Sequence, residues 1–211
     1  IKEYFSTIPS AEAFPPLTIR DPEPAGEKRF IVKRKDAPNL MTIAFKTPEV
    51  GHPRLFALDI AEGVLNGRSG RLYKRLVEEE KLAVSVRAAN SPNKYVSEFS
   101  ISVQLRPDAS LEKAEKIIWE ELERLKNEPV SLREFQKVKN NSYASIVRSL
   151  RDMENVATML AWYEIFGDYK IFLSWAEKLD SVSVENVQEA AKETFKKELS
   201  VNGILLGTQG E

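Results

Sequence analysis

Apolar residues recur along this chain with two different periods, and the switches between them divide it into elements. Residues 1–8 carry Tyr4, Phe5 and Ile8 and predict the end of an amphipathic helix with a short exit. Pro9, Pro15, Pro16, Pro22 and Pro24 follow. Proline fixes φ and removes an N–H donor, so this stretch is expected to be an extended, semi-rigid linker, closing at Ala25-Gly26-Glu27. Period-2 alternation then predicts strands over residues 29–33, around Phe30 and Val32, and over 41–45, with Met41, Ile43 and Phe45 on one face. Lys35-Asp36-Ala37-Pro38-Asn39 supplies the turn between them.

The period becomes helical at His52-Pro53, where proline suits a first turn. Leu55, Leu58, Ala61 and Leu65 share a face. Gly67 and Gly70 punctuate, and a second helix with Leu72, Leu76 and Val77 is expected to run to about Lys81. Val84, Val86 and Ala88 alternate with Ser85 and Arg87. After the turn Ser91-Pro92-Asn93-Lys94, Phe99, Ile101, Val103 and Leu105 alternate with Glu98, Ser100, Ser102 and Gln104. One buried and one wet face is the pattern of an antiparallel sheet covered by helices on one side.

The remainder is mostly helical. Ser110 caps a helix whose stripe is Leu111, Ala114, Ile117, Ile118, Leu122 and Leu125. Ser131 and Glu134 form a capping-box pattern before a second stripe of Leu132, Phe135, Val138, Ile146 and Leu150. Helices are expected over 153–166, ended by Gly167, and over 169–179. Ser183 caps another, with Val184, Val187, Ala191 and Phe195 inward, and 199–206 is a closing strand. The predicted fold is α+β: a two-layer sandwich whose mainly antiparallel sheet of about five strands is covered on one face by helices. Residues 1–26 are expected to be the end of a preceding domain and a linker, and 27–211 the domain itself.

Composition narrows the chemistry. The 211 residues suffice to bury roughly 70% of their unfolded surface without staples. A formal net charge of −1 makes no electrostatic case for nucleic acid or an anionic membrane. There is no apolar run of membrane-spanning length. The absence of cysteine removes disulfides, thiolate metal sites and cysteine nucleophiles together, and suits bacterial cytoplasm and periplasm equally. The one histidine, His52, is expected to start its helix, and no Ser/His/Asp triad is built around it. Trp119, Trp162 and Trp175 are expected to pack the core or a contact with another domain. The Lys/Glu-rich helix over 112–128 is expected to present a solvated face. The chain starts at Ile1 without a signal-peptide pattern, and the expectation is a boundary within a longer protein.

The segment over residues 66–86, a helix end, a glycine turn, a second helix and a strand, resembles the one that follows the first long helix in each half of the insulinase/pitrilysin zinc metallopeptidases. That family includes the mitochondrial processing peptidases and their bacterial relatives. Tyr4-Phe5-Ser6-Thr7-Ile8-Pro9, followed by the proline-rich stretch, is similar to the junction between the two halves of these enzymes. The resemblance covers most of the chain and implies the C-terminal half. It also implies a homologous zinc-bearing half as partner, either upstream in the same polypeptide or a separate subunit, and an extended peptide as substrate between the halves.

The inverted H-x-x-E-H zinc motif of the family would fall near Leu58-Asp59-Ile60-Ala61-Glu62. Two imidazoles and a further glutamate leave zinc an open position for water. Here Asp59 and Glu62 stand three apart, expected on a solvated or polar helix face, with no histidine between them. No metal or other cofactor is therefore expected in this chain, no catalytic residue is assigned, and zinc is expected in the partner half. The family's non-zinc half often carries an arginine and a tyrosine, seven residues apart, that reach the scissile peptide. Aligned on Leu82, their positions here are Val77 and Val84, so the groups that would polarise a carbonyl are absent. Burial is expected for Val84 and left open for Val77. The loop Asn66, Gly67, Arg68, Ser69, Gly70 and Arg71 corresponds to a glycine-rich loop that takes part in substrate recognition in the processing peptidases. It is a substrate-contact candidate here, against the alternative of a tight inter-helix turn. The expected role is a non-catalytic half that lines a peptide chamber; the alternative is an assembly subunit that stabilises its partner without touching peptide.

Overall fold

The computed structural model describes residues 2–9, 22 and 24–208, so Pro15 and Pro16 of the expected linker lie outside the described residues. Five strands form one sheet: β1 (Lys28–Lys35), β2 (Leu40–Thr47), β3 (Ala83–Ser91), β4 (Ser97–Leu105) and β5 (Ser200–Thr208), in the order β1-β5-β2-β4-β3. The β2–β4, β2–β5 and β3–β4 pairs are antiparallel, and β1–β5 is parallel. The sheet is thus mixed and mainly antiparallel, with the helices providing the second layer.

The core lies where the alternation placed it. Met41, Ile43 and Phe45 on β2 and Phe99, Ile101, Val103 and Leu105 on β4 are buried, while Glu98 and Ser102 are exposed. Phe195 packs edge-on to Phe45 and Phe99, at centroid distances of 5.2 Å and 4.9 Å, and Trp119 packs edge-on to Phe45 at 5.8 Å. Edge-to-face aromatic contacts add to burial and fix the helical layer over the strands.

The long helices are α2 (Pro53–Leu65), α4 (Leu111–Asn127), α5 (Leu132–Ser149), α6 (Met153–Phe166) and α9 (Val184–Thr194). α1 (Lys2–Phe5) is a single exposed turn. α3 (Arg71–Tyr73) continues into a π-helical turn over Lys74–Glu79, closed by Lys81 at φ 51° and a Leu82 N–H to Leu76 carbonyl bond of 2.9 Å. The helix expected over 169–179 is two pieces, α7 (Lys170–Leu173) and α8 (Trp175–Asp180). They part at Ser174, whose hydroxyl bonds back to the Ile171 carbonyl at 3.2 Å and competes with the helical ladder.

Two expectations about faces fail. β1 is exposed along its whole length, because it is an edge strand that helices do not cover. On α5 only Val138 of the expected stripe is buried; Leu132 is 77% exposed and Leu150 is exposed as well. The helix meets the body where Gly63 of α2 lets Val138 close in. A Cβ at Gly63 would lie 2.4 Å from a Val138 methyl, so α2 and α5 are in close contact there.

Candidate functional site

Helix α2 positions the residues that correspond to the zinc motif. His52 caps its N-terminus, with Nδ1 accepting the Arg54 N–H at 3.1 Å. The inner face packs Leu55, Leu58, Ala61 and Leu65 against the sheet. Asp59 and Glu62 turn toward β3 and are half-buried, on a polar face of the helix rather than a solvated one. Asn90 at the end of β3 binds both: its Nδ2 donates to Asp59 Oδ1 at 2.7 Å, and its backbone N–H donates to Glu62 Oε2 at 3.0 Å. Burial pushes the Asp59 carboxyl up to about 7, the Asn90 amide opposes this, and the neighbouring Glu62 charge adds to it. Burial also raises Glu62.

The two carboxylates open onto a cleft of about 310 Å³ between α2 and α5, walled also by Asn141, Ser142, Ser145 and Trp175. This set does not suit catalytic zinc. It offers no imidazole, and one Glu62 oxygen already accepts a backbone N–H. Among the described residues no three His, Cys, Asp or Glu side chains are grouped to hold a metal ion.

The loop after α2 divides into anchors and an exposed tip. Asn66 clamps it to β3: its Nδ2 donates to the Ala88 carbonyl at 2.9 Å and its Oδ1 accepts the Ala88 N–H at 3.3 Å. Gly70 is buried so tightly that a Cβ would lie 2.2 Å from the Asn66 carbonyl oxygen. Arg71 forms a bidentate pair with Glu134, 2.8 Å from Nε and 2.9 Å from Nη2. Gly67, at φ 76°, Arg68 and Ser69 are exposed at the tip, with the Lys137 ammonium on the Ser69 hydroxyl at 3.0 Å.

Val77 is half-buried on the π-helical turn and packs against the core. Val84 is 54% exposed, which corrects the expectation of burial. The pairing register steps from Ala83↔Leu105 to Ser85↔Gln104, so Val84 is the extra residue of a β-bulge. A bulge turns one residue out of the alternation while Val86 and Ala88 stay on the inner face. Arg75, on the same turn as Val77, pairs with Glu120 at 2.8 Å and Glu121 at 3.2 Å.

Residues 1–142 match the family described as the peptidase M16 inactive domain. The chain belongs to that family. This peptidase M16 inactive domain is similar to the zinc protease PqqE of Helicobacter pylori, 26% identical over 200 residues that cover 92% of this chain and 45% of the relative. It is also similar to the uncharacterized zinc protease YmxG of Bacillus subtilis, 26% identical over 186 residues covering 87% and 45%. The chain therefore spans about half the length of the curated relatives it matches. A solved protease from Helicobacter pylori superimposes with a TM-score of 0.91 at 24% identity, over 97% of this chain and 50% of that one. The peptidase M16 inactive domain from Pseudomonas fluorescens gives 0.76 at 19% identity, over 96% and 48%. These likenesses bear out the fold.

Sequence patterns missed two features of the inactive domain. Asn90 gave no local signal, because its partners lie 28 to 35 residues away. Glu121, placed in a solvated helix, is fully buried on α4, held by Arg75 and by Arg124 at 3.1 Å.

Proposed function

We propose that this chain is the non-catalytic half of a zinc-dependent metalloendopeptidase. It forms part of the peptide-binding chamber and supports a homologous zinc-bearing half, on which zinc-activated water hydrolyses an extended peptide. The observation that carries this reading is α2. At the position of the family's zinc motif it presents Asp59 and Glu62, both tied to Asn90, in place of an open metal site. A half that keeps the fold and has given its metal position to internal hydrogen bonds is suited to enclosing a substrate. Its Arg68 tip, with Gly67 and Ser69, is exposed for contact with a peptide, while Asn66, Gly70 and Arg71 hold the loop in shape. Val84, exposed at the bulge, is the likewise accessible member of the degenerate pair.

The test is zinc analysis of the isolated chain after dialysis, alongside cleavage of a fluorogenic peptide. Neither bound zinc nor turnover is expected. One tightly bound zinc per chain, or turnover by the chain alone, would overturn the assignment.

A further inference from the structure

Helix α6 is rich in apolar residues and buries none of them in this chain. Its inner stripe, Val156, Met159, Leu160, Tyr163 and Phe166, is only half-buried. Tyr163 stacks on Phe172 at 5.7 Å, and Trp162 lies tilted against Phe166 at 5.3 Å. The opposite stripe, Ala157, Thr158, Ala161, Trp162 and Ile165, is exposed, with Trp162 at 54% and Ile165 at 63%. Glu154, Asn155 and Glu164 interrupt the exposed stripe, yet a helix with this many apolar residues and none of them buried is short of a covering body. The exposure continues through Val147 and Leu150 at the end of α5 and Leu173 on α7. Together these side chains form an exposed apolar stretch over three elements, of the kind that marks an interaction surface.

We propose that this arm, the end of α5 with α6 and α7, is the surface on which the homologous zinc-bearing half docks; the proposal rests on the reading of the chain as one half of a peptidase. Two observations select that occupant. First, the charged residues of α6 are Glu154 and Glu164, with no lysine or arginine, so the helix itself lacks the basic face that holds an amphipathic helix on anionic lipid, although Arg148, Arg151 and Lys170 flank it in sequence. Among the described residues no helix is long and apolar enough to cross a membrane. Second, in the Helicobacter pylori protease this fold accounts for 50% of the chain, so a body of equal size accompanies it there. Arg148, Arg151 and Glu154 border the apolar stretch and supply the polar rim that such an interface carries.

The experiment produces the chain and its own zinc-bearing half as two polypeptides and titrates one against the other. It compares the wild type, the double variant Trp162→Glu with Ile165→Glu, and Leu132→Glu as a control at the far end of α5. The double variant is expected to weaken association at least tenfold while keeping the wild-type melting temperature, and the control is expected to change neither. Hydrogen exchange supplies a second readout without mutation: α6 amides exchange fast in the isolated chain and become protected when the zinc-bearing half is added. Wild-type affinity in the double variant, or α6 exchange unchanged by the partner, would overturn this surface while leaving the two-half reading intact. Absence of wild-type association would overturn both. Self-association of the chain, or binding to anionic vesicles, that the double variant abolishes while partner affinity is kept would reassign the arm to a second copy or to lipid.

Discussion

Arg71, at the end of the loop, and Glu134, in the first turn of α5, face each other as a fork on a fork, with N···O distances of 2.8 Å and 2.9 Å. The same carboxylate accepts the Ser131 hydroxyl at 2.7 Å and closes the capping box of α5. One side chain therefore joins the loop that follows α2 to the helix that crosses it. The Arg71 guanidinium draws the Glu134 carboxyl down to about 2.

Glu134→Ala should lower stability by about 2–3 kcal/mol, since it removes a cap and leaves a largely buried guanidinium unpaired. The lowered pKa means that the carboxylate's contribution is complete above about pH 4.5 and fades as pH falls toward 2. Urea unfolding at pH 7 and pH 3 checks this. The gap between variant and wild type should narrow at the lower pH, and a constant gap would argue against the ion pair as its source.

Asp59 carries the opposite sign. Its folded pKa of about 7 lies above the ordinary aspartate value, so the folded state holds a proton that the unfolded state releases between about pH 4 and 7. Stability falls as pH rises through that window and levels off above it. Asp59→Asn keeps an oxygen for the Asn90 amide and removes the charge. It should match wild type near pH 4 and exceed it by about 2–4 kcal/mol at pH 8. Thermal melts at the two pH values decide, and an equal offset at both would show that the carboxylate is solvated.

Ile101 is fully buried at the centre of β4, opposite Ile43 on β2. Truncation to alanine should cost about 2–5 kcal/mol, from lost transfer energy and the cavity left behind. Ser102→Ala, on the open face beside Thr42, should stay within about 1 kcal/mol, the worth of one exposed hydroxyl contact. Equal denaturation midpoints for the two variants would contradict the assigned faces of the sheet.

Val84→Tyr places a phenol at the exposed bulge and should change stability by no more than about 0.5 kcal/mol. Val77→Arg puts a charge on a half-buried turn packed against the core and should be the more destabilising of the two. Melting temperatures of the two single variants are the check. A larger loss at Val84 would mean that the bulge side chain is packed.

The sheet was legible because burial on one face imposes strict alternation, and residues 98–105 of β4 follow it without exception. Val84 was not, since a single extra residue reverses a face without altering the apolar pattern around it. The stripe on α5 misled for a different reason. Leu132 and Leu150 have helical spacing, yet they lie at the two ends of α5, while only its middle, from Phe135 to Tyr143, packs on the core. Periodicity identifies a face and is silent about what covers it. The site was half legible. A missing imidazole pair is a matter of residue identity, whereas the Asn90 bridge between Asp59 and Glu62 arises only when β3 is laid beside α2.

The central claim is that this inactive domain completes a peptidase whose metal lies in another half. The most direct measurement is peptide turnover by the zinc-bearing half, assayed with and without this chain at saturating concentration. The account predicts that the zinc-bearing half alone cleaves poorly, that this chain alone does not cleave, and that mixing them restores turnover. Full turnover by the zinc-bearing half alone, unchanged when this chain is added, would contradict it.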